Sequence, residues 1–254
     1  MQKELFNPLV LIPSYNPGQA GIKTVLSALT VFTPILVVTD GSTDGSDDEI
    51  EVSCQLHPDL YLIKNDQNEG KGAAVLKGLI WAREHHFTHV LTMDADGQHP
   101  IDQINNFIDA SRQNPDAMIL GLPVFDSDAP SLRVKGRQIS NWWANLETLW
   151  TGIGDSLFGF RVYPVNALIR VMETTRWMRR FDFDPEAVVR LRWAGIKAIN
   201  LPAQVRYPKA SEGGISHFQY GRDNLLLTGM HLRLLFGFVL RFPRLLFQRI
   251  SETS

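Results

Sequence analysis

The chain has 254 residues, 44% of them hydrophobic and 20% charged, enough to bury the core of one large domain. A formal charge of -2 lacks the basic excess of nucleic-acid binding, so no nucleic acid is expected as a partner. The lone Cys54 excludes an internal disulfide and a cysteine-based zinc site, and it fits a reducing, cytoplasmic compartment.

Residues 1–7 are polar and show no basic start followed by an apolar export stretch. Then short apolar runs alternate with helical patterns. A strand is expected over 9–12, a helix over 19–32, a strand over 35–38 and a helix from Ser46. A strand over 61–63, a helix over 70–85, a strand over 88–93, a helix over 101–112 and a strand over 117–120 follow. Strands that are apolar throughout imply a mostly parallel sheet covered on both faces, an α/β fold, with ligands beyond the carboxyl ends of the strands. Further on, helices are expected over 139–150 and 184–193, strands over 159–163 and 197–205, and a Gly-bearing loop over 207–218. From 225 to 250, leucines and phenylalanines mix with Arg233, Arg241, Arg244 and Arg249. No uninterrupted apolar run there is long enough to span a bilayer. An amphipathic helix in the headgroup region is expected, its arginines reaching lipid phosphates and Pro243 kinking or dividing it. A helix packed on the domain is the competing reading. The division expected is a catalytic domain over 1–222 and a basic tail over 223–254.

Four loops carry the chemistry, each directly after a strand or opening a helix. Met93-Asp94-Ala95-Asp96-Gly97-Gln98-His99 has two carboxylates two residues apart. At a strand end they would share one side and repel unless a cation lay between them. Oxygen ligands suit Mg2+ or Mn2+, and Gln98 would add an amide oxygen or orient a water. Asp40-Gly41-Ser42-Thr43-Asp44-Gly45-Ser46 sets an acid where it would meet a base or ribose, with Ser46 also a candidate helix cap. Pro13-Ser14-Tyr15-Asn16-Pro17-Gly18 offers Tyr15 to a base. Asn68-Glu69-Gly70-Lys71-Gly72 puts glycines and a lysine at a helix N-terminus, where an anion is stabilised. His85, His86 and His89 straddle a helix end and a strand start, and Trp142, Trp143 and Trp150 lie on a helix; both groups read as packing residues.

In this order and spacing the four loops resemble the family 2 glycosyltransferases, and among them the branch of dolichol-phosphate mannosyl- and glucosyltransferases. The resemblance covers roughly 9–224. It implies a single glycosyltransferase A-type, Rossmann-like domain and a metal-dependent inverting transfer. The sugar would pass from a UDP- or GDP-sugar to a lipid-linked or polyprenyl-phosphate acceptor. By the same resemblance Pro13, Tyr15, Asn16 and Asp40 contact the nucleoside. Lys71, Asp94, Ala95 and Asp96 bind the nucleotide sugar, with Asp94, Asp96 and Gln98 on the metal. Asp155-Ser-Leu-Phe-Gly159-Phe-Arg161 looks like the family's stretch in which the arginine neutralises phosphate. Asp184 and Glu186 match its acidic acceptor-side element, and either would be the base for a hydroxyl acceptor. Gly214-Ile-Ser216-His217 stands where lipid-phosphate relatives carry Gly-x-Ser-Lys. Pro17, Thr39 and Gly121-Leu-Pro123 depart from the pattern. The last stands where relatives often have Gly-Ser-Arg, and Arg133 or Arg137 would substitute for that arginine. The expected location is peripheral, on the cytoplasmic face of the cell membrane. Aspartyl-nucleophile phosphatases also carry Asp-x-Asp-Gly, but Gln98 follows here and no downstream aspartate pair does. A degenerate sugar-nucleotide-binding protein is the non-enzymatic alternative.

Overall fold

Continuous apolar runs become the central strands. The computed structural model describes residues 5–125, 131–205 and 220–253, the side chains of 131–135, 220 and 252–253 excepted. Its sheet is built from β1 (Pro8–Ser14), β2 (Ile35–Asp40), β3 (Leu60–Asn65), β4 (His89–Thr92), β5 (Ala117–Phe125), β6 (Arg161–Pro164) and β7 (Lys197–Val205). The strand order is β3-β2-β1-β4-β6-β5-β7. Pairings are parallel except those of β6, which runs antiparallel to β4 and β5. β1 and β2 are buried almost throughout, as strands covered on both faces must be.

Alternate side chains of these strands feed two cores. Val10, Ile12, Ile35 and Val37 meet α1 (Gly18–Leu29), α2 (Ser46–Leu56) and α4 (Ile104–Gln113). Leu9, Leu11, Leu36 and Val38 meet α3 (Lys71–Glu84), α6 (Val165–Glu173), α7 (Phe183–Trp193) and α8 (Tyr220–Thr253). The remaining helix, α5 (Ser131–Glu147), packs on α7 and α8.

Several expectations are corrected. The helix expected over 139–150 begins eight residues earlier and ends at Glu147. The strand expected from 159 starts at Arg161, and α6 has no counterpart in the expected elements. The tail is one helix from Tyr220 to Thr253, continuous through Pro243. Its segment Gly221–Ser251 contains an 18-residue stretch of mean hydropathy 1.5 and is by length and composition long enough to cross a membrane, contrary to the expectation. The helix is nevertheless docked along its length. Met230, Leu234, Phe238 and Leu245 lie in the core beneath it, each contributing roughly 1.5–3 kcal/mol on burial. Through these four residues α8 packs on the rest of the chain.

Candidate active site

The sheet reverses its direction of growth between β1 and β4, and the loops after these two strands face one crevice, the position where α/β sheets bind ligands. A Cβ added at Gly21, behind the β1 loop, would lie 3.2 Å from the Ala95 carbonyl oxygen of the β4 loop. Because β6 is antiparallel, its amino end lies beside the carboxyl end of β4, with Thr92 opposite Arg161. The Thr92 hydroxyl donates to the Gly159 carbonyl at 2.9 Å, bringing the 155–161 stretch to the aspartate loop.

β4 ends at Thr92, so Asp94 and Asp96 belong to a turn; strand alternation is not what orients them. Asp96 Oδ1 accepts from the Gln98 amide at 3.0 Å, and Gly97, at φ 74°, closes the turn. Lys71 Nζ bridges Asp94 Oδ1 at 2.6 Å and Asp184 Oδ2 at 2.7 Å. Gly159 lines this cluster by having no side chain: a Cβ there would fall 2.8 Å from Lys71 Nζ and 3.2 Å from Asp94 Oδ2.

The two aspartates titrate apart. Burial would raise Asp94, but Lys71 and His99 beside it hold its carboxyl below the usual range. Burial, reinforced by the Asp94 charge, pushes Asp96 up to about 6. Burial would also lower the Lys71 ammonium, yet Asp184 and Asp94 keep it above its ordinary value. His99, which carried no assigned role in the sequence, proves to belong here. Its Nδ1 accepts from the Asp94 amide at 2.9 Å, and its Nε2 lies 3.8 Å from Asp94 Oδ2. Burial pushes its pKa down to about 4, so the ring is neutral with its hydrogen on Nε2.

Other expected site residues face inward. Asp40, expected on the nucleoside, is 2% exposed. Its Oδ1 accepts from Asn65 Nδ2 at 3.1 Å and the Glu69 amide at 3.0 Å, and its Oδ2 accepts from the Gly70 amide at 2.7 Å. It clamps the loop that presents Lys71. Pro13 is buried in β1 opposite Val38. Arg161 is 0% exposed and braces the site from below, donating to the Asp184 carbonyl at 2.7 Å, Tyr163 Oη at 3.0 Å and the Asp155 carbonyl at 3.3 Å. In that position it does not reach a substrate phosphate. Glu186 is 0% exposed and accepts from Arg190 Nε at 2.7 Å and Arg233 Nη2 at 3.0 Å, so it has no route to a substrate proton. Ser46 does not cap α2 with its side chain; Asp44 holds it instead, accepting from the Ser46 amide and hydroxyl.

Tyr15 is exposed on the β1 loop. Asn16, at φ 44°, stitches that loop to the β2 loop, its Oδ1 accepting from the Thr43 amide at 2.7 Å. Ala95 is buried, its carbonyl oxygen turned toward Gly21. Arg137 donates to Asp155 Oδ1 at 2.6 Å. Ser216 and His217 lie outside the described residues, as does the Arg133 side chain. His89 bonds the Pro115 carbonyl and the Thr88 hydroxyl, and His85 stacks on Trp81, so neither forms a metal cluster. Trp142, by contrast, is 52% exposed beside Trp150, less packed than expected.

Among the described residues no three carboxylate, imidazole or thiolate side chains gather around one point. The chemistry fits a hard divalent cation all the same. Such ions bind through one or two carboxylates plus substrate phosphates, and Asp94 with Asp96 is a pair whose repulsion a cation relieves. Asp184 Oδ1, buried over Gly159 without a hydrogen-bond partner, lies on the Lys71 side of Asp94 and does not complete a three-carboxylate set.

The family described as Glycosyl transferase family 2 matches residues 9–181. The chain is 24% identical to the undecaprenyl-phosphate mannosyltransferase of Micrococcus luteus over 209 residues, 76% of this chain and 81% of that protein. It is 28% identical to the polyprenol monophosphomannose synthase of Mycolicibacterium smegmatis over 210 residues, 76% of this chain and 75% of that protein. Glucosyl-3-phosphoglycerate synthase of Mycobacterium tuberculosis, crystallised with Mn2+, UDP-glucose and phosphoglyceric acid, superposes with a TM-score of 0.58. At 14% identity over 82% of this chain and 75% of that one, the likeness is one of fold, the glycosyltransferase A type.

Proposed function

The chain belongs to glycosyl transferase family 2, and on that premise we propose that it moves a sugar from a UDP- or GDP-sugar to a lipid-linked acceptor, polyprenyl phosphate foremost, with inversion. The observation that carries this reading is the cluster of Asp94, Lys71 and Asp184 over Gly159, with Asp96 in the same turn as Asp94, at the crevice between β1 and β4. The lipid-phosphate acceptor is supported by the activities for which both curated relatives are named.

Mg2+ or Mn2+ would be held by Asp94 and Asp96, with Gln98 beside them, and supplies charge that offsets the departing nucleoside diphosphate. A Mn2+-bound neighbour of the same fold supports the choice of ion. Tyr15 and Asn16 orient the nucleoside from the β1 loop, and the Ala95 backbone lines the donor. Lys71 keeps Asp94 and Asp184 together and adds positive charge where the diphosphate leaves. If the acceptor is a phosphate, its oxygen attacks the anomeric carbon as the bond to the diphosphate breaks, and no proton has to move. If it is a hydroxyl, Asp184 is the base, through Oδ1, which accepts no hydrogen bond and lies 4.0 Å from Arg161 Nη1. Arg137, Ser216 and His217 are the groups proposed for the acceptor phosphate.

The outward face of α8 supports a peripheral position on the cytoplasmic membrane surface. Leu225, Leu232, Phe236, Val239, Phe247 and Ile250 are all exposed along roughly 38 Å of helix. Three of the four arginines expected on lipid phosphates turn back instead. Arg233 pairs with Glu186, Arg241 lies over Trp193, and Arg249 donates to the Leu149 carbonyl. Contact therefore rests on the apolar strip, with Arg244 exposed to one side of it.

Sugar transfer to polyprenyl phosphate with Mn2+ tests the proposal. Asp94→Ala and Asp96→Ala are each expected to lower turnover by about 100-fold or more. Near-normal metal-dependent turnover in both variants would end it.

A further inference from the structure

Resting on the membrane-surface reading above, we infer that α8 is coupled to the active site by a buried polar chain, and that His231 and Ser140 are positioning residues which make the site responsive to what α8 docks on. The chain starts on the inner face of α8. His231 Nδ1 lies 3.0 Å from Glu147 Oε1, and its Nε2 lies 3.2 Å from the Ser140 hydroxyl. Ser140 Oγ is 3.2 Å from Ser156 Oγ, and the Ser156 hydroxyl donates to Asn141 Oδ1 at 2.8 Å. Asn141 Nδ2 donates to Asp155 Oδ2 at 3.0 Å. Asp155 Oδ1 then receives the Leu157 and Phe158 amides at 2.9 and 2.7 Å, which shapes the turn leading to Gly159. From Asp155 the Arg161 guanidinium continues to the Asp184 carbonyl, and Asp184 meets Lys71 and, through it, Asp94.

Three features make this more than ordinary packing. Glu147, Ser140, Ser156, Asp155 and His231 are all buried and Asn141 is half-buried, so most of the links are shielded from water. Glu147 Oε2 is buried without a hydrogen-bond partner, a cost kept in a core that apolar residues would fill more stably. The donors also run in one direction, from Ser140 to Ser156 to Asn141 to Asp155, provided His231 Nε2 carries a hydrogen. That arrangement leaves a single proton shared between His231 Nδ1 and Glu147 Oε1. The same helix turns its other face outward as the apolar strip, so one rigid element touches both the docking surface and the chain. A displacement of α8 by even a fraction of a hydrogen-bond length moves the Asp155 turn. That turn leads into Gly159, where a Cβ would lie 2.8 Å from Lys71 Nζ and 3.2 Å from Asp94 Oδ2, so its position bears on both groups.

Hydrogen exchange of the full-length protein, with and without phosphatidylethanolamine vesicles containing phosphatidylglycerol, tests the inference. In the wild type, vesicles should protect α8 and also slow the Leu157 and Phe158 amides by about tenfold, within the usual range of coupling between linked sites. Ser140→Ala and Ser156→Ala, each interrupting the chain at one hydroxyl, should keep the protection of α8 and lose that at 157–158. The double variant should lose no more than either single one. Wild-type protein whose α8 is protected while 157–158 exchange unchanged would overturn the coupling alone, as would full transmission in Ser140→Ala. Unprotected α8 in the wild type would overturn the membrane reading and the inference with it. Sugar transfer to a soluble short-chain acceptor, measured in the same sample, reports separately on the catalytic reading.

Discussion

Asp94 and Asp96 stand two residues apart, yet only Asp94 is served by Lys71. Asp96, pushed up to about 6, binds a proton more readily in the folded chain than in the unfolded one. Its contribution to stability is thus fully present below the unfolded value and is lost as pH rises through about 6, where a divalent cation restores it by taking the proton's place. Mn2+ should therefore raise the melting temperature more at about pH 7.5 than at about pH 5. Equal shifts at both would mean that Asp96 does not hold the ion. Asp40 makes the opposite kind of prediction. With three donors on its carboxylate, Asp40→Ala should cost about 2–4 kcal/mol in denaturant unfolding through loss of the 65–70 loop. The preference between UDP and GDP should not change. A changed preference at unchanged stability would return Asp40 to the nucleoside.

At the scale of the element, α8 divides its apolar residues between two surroundings. Met230 is fully buried, and Met230→Ala should lower stability by about 2–5 kcal/mol. Phe236 is 69% exposed, and Phe236→Glu should change stability by no more than about 0.5 kcal/mol while weakening co-sedimentation with phosphatidylglycerol vesicles. If Phe236→Glu destabilises the fold as much as Met230→Ala, the strip is packing surface and the membrane contact fails. The elements were unevenly legible in the sequence. A buried parallel strand must be apolar on both faces, so β1 and β2 stand out as runs, while β7, at the sheet edge and only partly buried, still matches its expected bounds. The antiparallel direction of β6 is not a local property, since it depends on which neighbours close the sheet. α6 was legible: Val165, Leu168, Ile169 and Met172 repeat at helical spacing directly after Pro164.

Across the whole molecule, the fold gathers residues that no local pattern links. Lys71 and Asp184 are 113 positions apart in sequence, and Asp94 joins them only because β4, β6 and α7 converge on one edge of the sheet. Motif order drew attention to loops that the fold gathers at one edge of the sheet, but it could not separate exposed groups from buried ones. Arg161, Glu186, Pro13 and Asp40 are buried and bonded within the fold. For Glu186 a local sign existed, an arginine four residues on, where a helical ion pair forms. His99, which closes the aspartate turn, carried no such sign. The central claim is that Asp94 and Asp96 tie a nucleoside diphosphate to this edge through a divalent ion. Calorimetric titration of UDP and GDP into wild-type protein and Asp96→Ala, with Mn2+ and with EDTA, measures it directly. At least one nucleoside diphosphate should bind the wild type only with Mn2+, and Asp96→Ala should weaken this binding by about tenfold or more. Equal binding with EDTA, or undiminished binding by Asp96→Ala, would contradict it.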